Sequence, residues 1–357
     1  MKLVYLIDYD LSVNSGVVQK IKEQAKQWKE NDHTVFFVST ITMSVYNHKY
    51  ELIYSLKNLD FNFGKVGTAI KLLYSSYYLS KLLNKIEIDM IYMRYRLYMP
   101  FFSNILKKYP VVMEINSDDI LEYKISSKVK YIYNLLTRDL ILKNVNAFVS
   151  VSKELKEKFL YLNKPITVIA NGIDVSCCNV HIPDNPKPVL VFIGTPNQPW
   201  HGLDKIETMA QKLDWCQFHI IGTKGVSTDN VKYFGYLNQE KSLDIIKQSD
   251  IGIGTLSLYK TSLMEASPLK TRQYLACGLP LIYAYIDTDL KEDLTFALQL
   301  NNQENNIDIE KIENFIHRVW NNKNIRQEAR KYAETVLDYS IKEKKRLVFF
   351  KKVLDEF

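Results

Sequence analysis

Two Rossmann-like, doubly wound α/β domains are the fold class this sequence predicts, on three observations. The chain has 357 residues, which at ~100–200 residues per domain makes two domains, each large enough to bury its own core. Short β-rich runs alternate with longer segments whose apolar residues recur every three or four positions, the pattern of a parallel sheet covered by helices. The alternation pauses once near the middle and then restarts.

The opening Leu3-Val4-Tyr5-Leu6-Ile7 run is cut off by Asp8 and reads as a first buried strand. It lacks the length and the small-residue cleavage site of a secretory leader, so none is expected. Residues 34–38, 89–93, 111–115 and 147–151 follow as buried parallel strands, and residues 16–30, 67–85 and 128–143 carry the helical period between them. The pause falls at residues 166–174 and the proline-rich 182–188, which places a boundary after residue 172. Strand candidates then return at 189–194, 218–222, 251–254 and 279–283, so the second half is again Rossmann-like. The last stretch, 340–357, sets Leu347, Phe350 and Leu354 on one helical face and Lys344, Lys345, Lys351 and Lys352 largely on another. It reads as a basic amphipathic helix, either packed on the body or touching a membrane.

Hydrophobic residues make up 46% of the chain and charged residues 24%, which excludes a disordered or fibrous protein and suits a globular enzyme. No apolar run approaches the ~20 residues that cross a bilayer. The four cysteines and six histidines show no metal-ligand spacing, so a cytoplasmic protein with small buried thiols and no metal is expected. Residues 1–172 carry a net charge of +8 and residues 173–357 carry −1. A basic half attracts phosphorylated substrates, an anionic membrane surface or nucleic acid. The aromatic residues follow strand and helix periods instead of interleaving with the lysines, so nucleic acid is not the expected partner.

Doubly wound sheets gather helix N-termini at one edge, where free N–H groups accept anions, and a diphosphate is the natural occupant. One such turn is Asn14-Ser15-Gly16, although a single glycine makes it weak. A stronger one lies at Glu265-Ala266-Ser267-Pro268-Leu269-Lys270. Pro268 suits a first helical position, Ser267 suits the cap, and Gly278 ends the helix before a new strand. An acid (Glu265), a cation (Lys270) and an amide one turn on (Gln273) therefore converge on one helix start. Asp287-Thr288-Asp289 forms a D-x-D after a strand, the mark of a rival metal-dependent transferase. A non-catalytic nucleotide- or nucleic-acid-binding protein is the rival from another class.

The 263–280 segment resembles the donor-binding signature of the retaining GT-B glycosyltransferases of family 4. There, two glutamates with seven residues between them flank a helix ending in Ala-Cys-Gly-Leu-Pro; here the pair is Glu265 and Gln273. The likeness continues at Asn171-Gly172-Ile173-Asp174, at Phe192-Ile193-Gly194-Thr195 with Trp200-His201-Gly202, and at the base-side stretch 231–237. It implies a donor domain spanning 173–338, an acceptor domain spanning 1–172, a cleft between them, and a C-terminal helix, 339–357, packing back on the first domain. It also implies retaining transfer from a UDP- or GDP-type sugar, without cofactor or metal, to a glycan or lipid-linked hydroxyl. The setting implied is bacterial surface polysaccharide assembly on the cytoplasmic face of the cell membrane.

On this resemblance Glu265 and Lys270 are the catalytic candidates. Gly16, Thr195, His201, Gly202, Tyr236, Ser267, Pro268, Leu269, Arg272 and Gln273 bind the donor, and Glu114, Asn116 and Arg94 face the acceptor. Thr195 and His201 stand where the family carries Arg and Lys. Leaving-group charge is then expected to fall on Lys270, Arg272, a protonated His201 and backbone N–H groups. Gln273 accepts through its carbonyl but lacks the stronger charge-assisted acceptor.

Overall fold

A computed structural model of the chain describes residues 1–13, 15–56, 64–304 and 307–357, with the backbone alone over 64–73. Asn14, part of the first candidate turn, lies outside the described residues. The chain divides into two compact units, Met1–Ile169 with Glu343–Phe357, and Ala170–Lys342. No helix among the described residues is long and apolar enough to cross a membrane.

The first unit runs β1 (Lys2–Ile7), α1 (Gly16–Glu30), β2 (Thr34–Ser39), β3 (Ser44–Tyr46), β4 (Leu52–Ser55), α2 (Gly64–Leu83) and β5 (Met90–Arg94). It continues with α3 (Phe102–Leu106), β6 (Val111–Ile115), α4 (Asp119–Ser126), α5 (Lys128–Leu142), β7 (Ala147–Ser150), α6 (Lys153–Glu157) and β8 (Ile166–Val168). The sheet order is β4-β3-β2-β1-β5-β6-β7-β8, parallel except for the β2–β3 and β3–β4 pairs. Strand pleating sends Val4 and Leu6 into a core on one face and Leu3, Tyr5 and Ile7 into a core on the other. The central strands are hence mostly apolar, as a sheet covered on both sides requires, with Glu114 of β6 the charged exception.

The second unit runs β9 (Val189–Ile193), α7 (Leu203–Lys212), β10 (Gln217–Ile221), β11 (Val231–Gly235), α8 (Gln239–Lys247), β12 (Ile251–Ile253), β13 (Glu265–Ala266) and α9 (Leu269–Ala276). After these come β14 (Leu281–Tyr283), β15 (Ile286–Asp287), β16 (Ala297–Gln299), α10 (Ile309–Val319), α11 (Lys323–Tyr332) and α12 (Tyr339–Asp355). Its main sheet has the order β11-β10-β9-β12-β14-β16, with parallel pairing throughout. Among the described residues β13 pairs only with β15.

α12 begins in the second unit and belongs to the first from Glu343 onward. There Leu347, Phe350 and Val353 enter the core beside α1, Trp28 and Phe350 meet edge-on at 5.6 Å, and Trp28 Nε1 donates to Glu343 at 2.7 Å. The apolar face of this helix is therefore buried, and Lys344, Lys345, Lys351 and Lys352 stand exposed.

Candidate functional site

In each unit the strand order reverses beside the first strand, β2-β1-β5 in one and β10-β9-β12 in the other. Such a switch point opens a crevice at the strand C-termini, because the following connections depart to opposite faces.

In the second unit the crevice is built on α9. Here the structure corrects the expected cap. Pro268 is the N-cap, Leu269 is the first helical residue, and no side chain caps the helix. The Ser267 hydroxyl instead accepts from the backbone N–H of Asn171 at 2.8 Å, and the Asn171 amide donates to the Ser267 carbonyl at 2.5 Å. The first amides of α9 are thus left for a ligand, with the partial positive charge of a helix start. The same helix is fixed to the sheet by Tyr274, whose hydroxyl accepts from Ile193 N–H at 2.9 Å.

Lys270, in the first turn of α9, lies 4.0 Å from the Phe192 ring centroid and 3.4 Å from His201 Nδ1. No carboxylate pairs with it among the described residues, and burial pushes its ammonium down to about 7. His201 is buried, and burial together with the Lys270 charge pushes its imidazole down to about 3. The expectation of a protonated His201 is therefore corrected: the ring is neutral, because a cation sits beside it and apolar groups surround it. With Nδ1 facing the ammonium, Nε2 carries the proton, and Nε2 has no partner among the described residues. A side chain at Gly194 would come within 2.8 Å of that nitrogen and 2.7 Å of the Phe192 ring, so only glycine lets His201 and Phe192 pack this closely. Gly202 starts α7 at φ 73°, a conformation that disfavours other residues. Thr195 is exposed just beyond β9.

Glu265 is buried in β13, three residues before Pro268. The Gln273 side chain is half-buried on α9. Tyr236 is exposed at the end of β11, and Gly16 opens α1 behind a Ser15 cap that already accepts from Val18 N–H.

Arg272 does not serve the crevice, contrary to expectation. It is buried, forked onto Asp287 with one contact at 2.7 Å, and 3.1 Å from Asp289. Its charge is neutralised inside the unit, and the same pairs engage the D-x-D carboxylates, with Lys342 taking Asp289 at 2.5 Å. Among the described residues no group of three His, Cys, Asp or Glu side chains is placed to hold a metal.

Glu114 does not face the acceptor side; as a buried Glu within an apolar strand requires, it is ion-paired. It is completely buried, 3.1 Å from Lys20 and 3.5 Å from Arg346. These cations, with Asn116 donating at 2.9 Å, outweigh the burial penalty and hold its carboxyl well below the usual range. It anchors α12 and α1 to the sheet. Arg94 and Asn116 instead line a cavity of about 660 Å³ at the switch point of the first unit. Tyr9, Tyr95, Tyr98, Tyr123 and Tyr133 give it an aromatic wall. Arg96 in the same wall is 2.5 Å from Asp8, whereas Arg94 meets the Tyr9 hydroxyl at 3.3 Å.

Sequence reasoning missed Phe192, Tyr274 and this tyrosine set. Phe192 and Tyr274 entered only as members of motif-bearing segments, and the contacts of Lys270 with Phe192 and of Ile193 N–H with the Tyr274 hydroxyl reveal their use.

The architecture is that of the GT-B glycosyltransferases. Sucrose-phosphate synthase from Thermosynechococcus elongatus superposes with a TM-score of 0.75 at 12% identity, covering 100% of both chains. A glycosyltransferase from Rickettsia africae ESF-5 gives 0.66 at 14% identity, over 99% of this chain and 98% of that one. HepE of Anabaena, solved in complex with UDP, gives 0.62 at 13% identity, over 99% and 100%. Residues 14–176 match the family model of Glycosyltransferase Family 4. No curated protein matches the chain.

Proposed function

We propose that the chain is a retaining, metal-independent glycosyltransferase that moves a sugar from a UDP- or GDP-type donor to a hydroxyl of a glycan or lipid-linked acceptor. The observation that carries this reading is the uncapped start of α9, with Lys270 set against Phe192 and lacking a carboxylate partner among the described residues. A diphosphate supplies the missing charge, and the HepE complex with UDP supports the choice of ligand.

As the glycosidic bond lengthens, negative charge grows on the departing phosphate. The Leu269, Lys270 and Thr271 amides and the Lys270 ammonium are already oriented to stabilise it, so little reorganisation accompanies the step. Neutral His201 holds the Lys270 ammonium in place through Nδ1. Glu265 orients the sugar and supports positive charge on the ring. The tyrosine-lined cavity of the first unit suits an acceptor glycan, since tyrosine faces pack on sugar rings while their hydroxyls meet its polar groups.

Assembly of a surface polysaccharide at the inner membrane face is the setting we infer, supported by the +8 charge of residues 1–172. Thermal-shift measurements with UDP, GDP and ADP test the donor site, because a ligand at ~100 times its Kd adds about 2.7 kcal/mol. UDP or GDP should raise the Tm of the wild type and leave Lys270→Met nearly unmoved. If no nucleoside diphosphate raises it, the reading falls. Retention is tested by the anomeric configuration of the product, and metal independence by activity in EDTA.

A further inference from the structure

Three of the four cysteines meet at the far end of α9. Cys277 follows the last residue of that helix, and its Sγ lies 2.9 Å from Cys178 Sγ. Cys177 Sγ is 3.5 Å from Cys178 Sγ. Cys178 and Cys277 are buried, whereas Cys177 is exposed, so the expectation of uniformly buried thiols holds for only three of the four. The two segments are held together independently of sulfur. Arg330 donates to the carbonyls of Cys178 and Ala276, the latter at 2.6 Å, and a side chain at Gly278 would come within 3.2 Å of Val180.

We propose that Cys177, Cys178 and Cys277 form a thiol–disulfide exchange site for low-molecular-weight disulfides, with Cys177 as the entry thiol and a Cys178–Cys277 disulfide as the product. The Cys177 thiolate attacks the disulfide RSSR, forming a mixed disulfide and releasing RS⁻. Cys178 then attacks the Cys177 sulfur and expels the second RS⁻, and Cys277 attacks Cys178, returning Cys177 to the thiolate. In sum, two protein thiols are oxidised and RSSR is reduced to two RSH, which carry away the two protons.

The order follows from access and proximity. Although the neighbouring Cys177 lowers the Cys178 thiol, Cys277 and burial outweigh it and push that thiol up to about 12. Cys178 is therefore a slow nucleophile toward a reagent in solution, and an adduct 3.5 Å away compensates by its high effective concentration. The bridge spans 99 positions of the chain, so it restricts the unfolded state strongly.

The test uses the full-length reduced protein, glutathione disulfide as the probe, thiol trapping, and mass spectrometry of non-reduced peptides. In the wild type a glutathione adduct on Cys177 should rise and decay as the Cys178–Cys277 peptide accumulates. The Tm should increase by roughly 5 °C or more. Cys177→Ser should slow cross-linking at least ~10-fold. Cys178→Ala should leave a stable adduct on Cys177; should that variant misfold, Cys277→Ala should stop at a Cys177–Cys178 disulfide without a lasting adduct, and a lasting Cys177 adduct in it counts against the relay. Cross-linking of Cys177→Ser at the wild-type rate, or a lasting Cys177 adduct in the wild type, overturns the proposal. These readouts need no sugar nucleotide, so their failure leaves the proposed transferase activity standing.

Discussion

Lys270 has a charge that depends on pH near neutrality, since burial holds its ammonium down to about 7 while an unfolded lysine titrates at about 10.4. Between those values the unfolded chain binds a proton that the folded, ligand-free protein does not. This group therefore adds stability as pH rises through the window, and the contribution is absent below about 7. A bound diphosphate favours the charged form, so binding above pH 7 takes up a proton. The Kd for UDP should weaken by up to roughly tenfold between pH 7.5 and 8.5. Titration calorimetry in two buffers checks this, with a flat profile expected for Lys270→Arg. A flat wild-type profile with no proton uptake would remove Lys270 from the anion site. For Glu265→Gln, turnover should drop at least ~100-fold with Tm unchanged, as for a positioned transition-state contact. Lys270 and Glu265 were legible because they flank a helix start that the sequence marks with Pro268. The capping role of Ser267 was misread because its partner, Asn171, lies 96 positions away. Arg272 was misread for the same reason, since a free and a buried guanidinium differ only through carboxylates that folding brings to it.

Helices whose signals are local were read closely: α1 runs over Gly16–Glu30 as its apolar period requires, with Val18, Ile21, Ala25 and Trp28 buried. The antiparallel β3 and β4 were not foreseen, because three- and four-residue strands on a sheet edge show no period long enough to read. For α12 the period gave the helix, but not the charged layer beneath it. Arg346 Nε donates to Glu343 at 2.7 Å and Arg346 Nη1 to the Tyr92 hydroxyl at 2.6 Å, beside Glu114. Removing the Glu114 charge leaves Lys20 and Arg346 buried without it. Glu114→Gln should thus cost about 3–5 kcal/mol, the range for breaking a buried pair. Urea denaturation measures the cost; a loss below about 1 kcal/mol would mean that water already screens the cluster.

At the scale of the whole molecule, a transferase that docks on a membrane, as proposed above, needs an exposed apolar face, and α5 carries one where α12 does not. The apolar face of α12 is committed to the core, whereas Val129, Ile132, Leu136 and Leu140 are exposed at three- and four-residue spacing and so share one face of α5. Ile125 of α4 is exposed as well, and exposed Lys124, Lys128, Lys130 and Lys143 surround the stripe. An apolar face rimmed by lysines suits an anionic bilayer, where buried side chains and about 1 kcal/mol per lysine act together. Co-sedimentation with phosphatidylglycerol vesicles should capture the wild type at low salt, and binding should weaken in 0.5 M salt as the lysines are screened, roughly within the ~8–10 Å Debye length of lower salt. Val129→Glu combined with Leu136→Glu should reduce binding at least ~10-fold, because it replaces insertion with repulsion. Both positions are solvent-facing, so stability should change by only about 0.5 kcal/mol per site. Lys351→Ala with Lys352→Ala should have a smaller effect, since that helix presents charge without an apolar face. Equal vesicle binding by the α5 variant and the wild type would show that α5 is not the docking element.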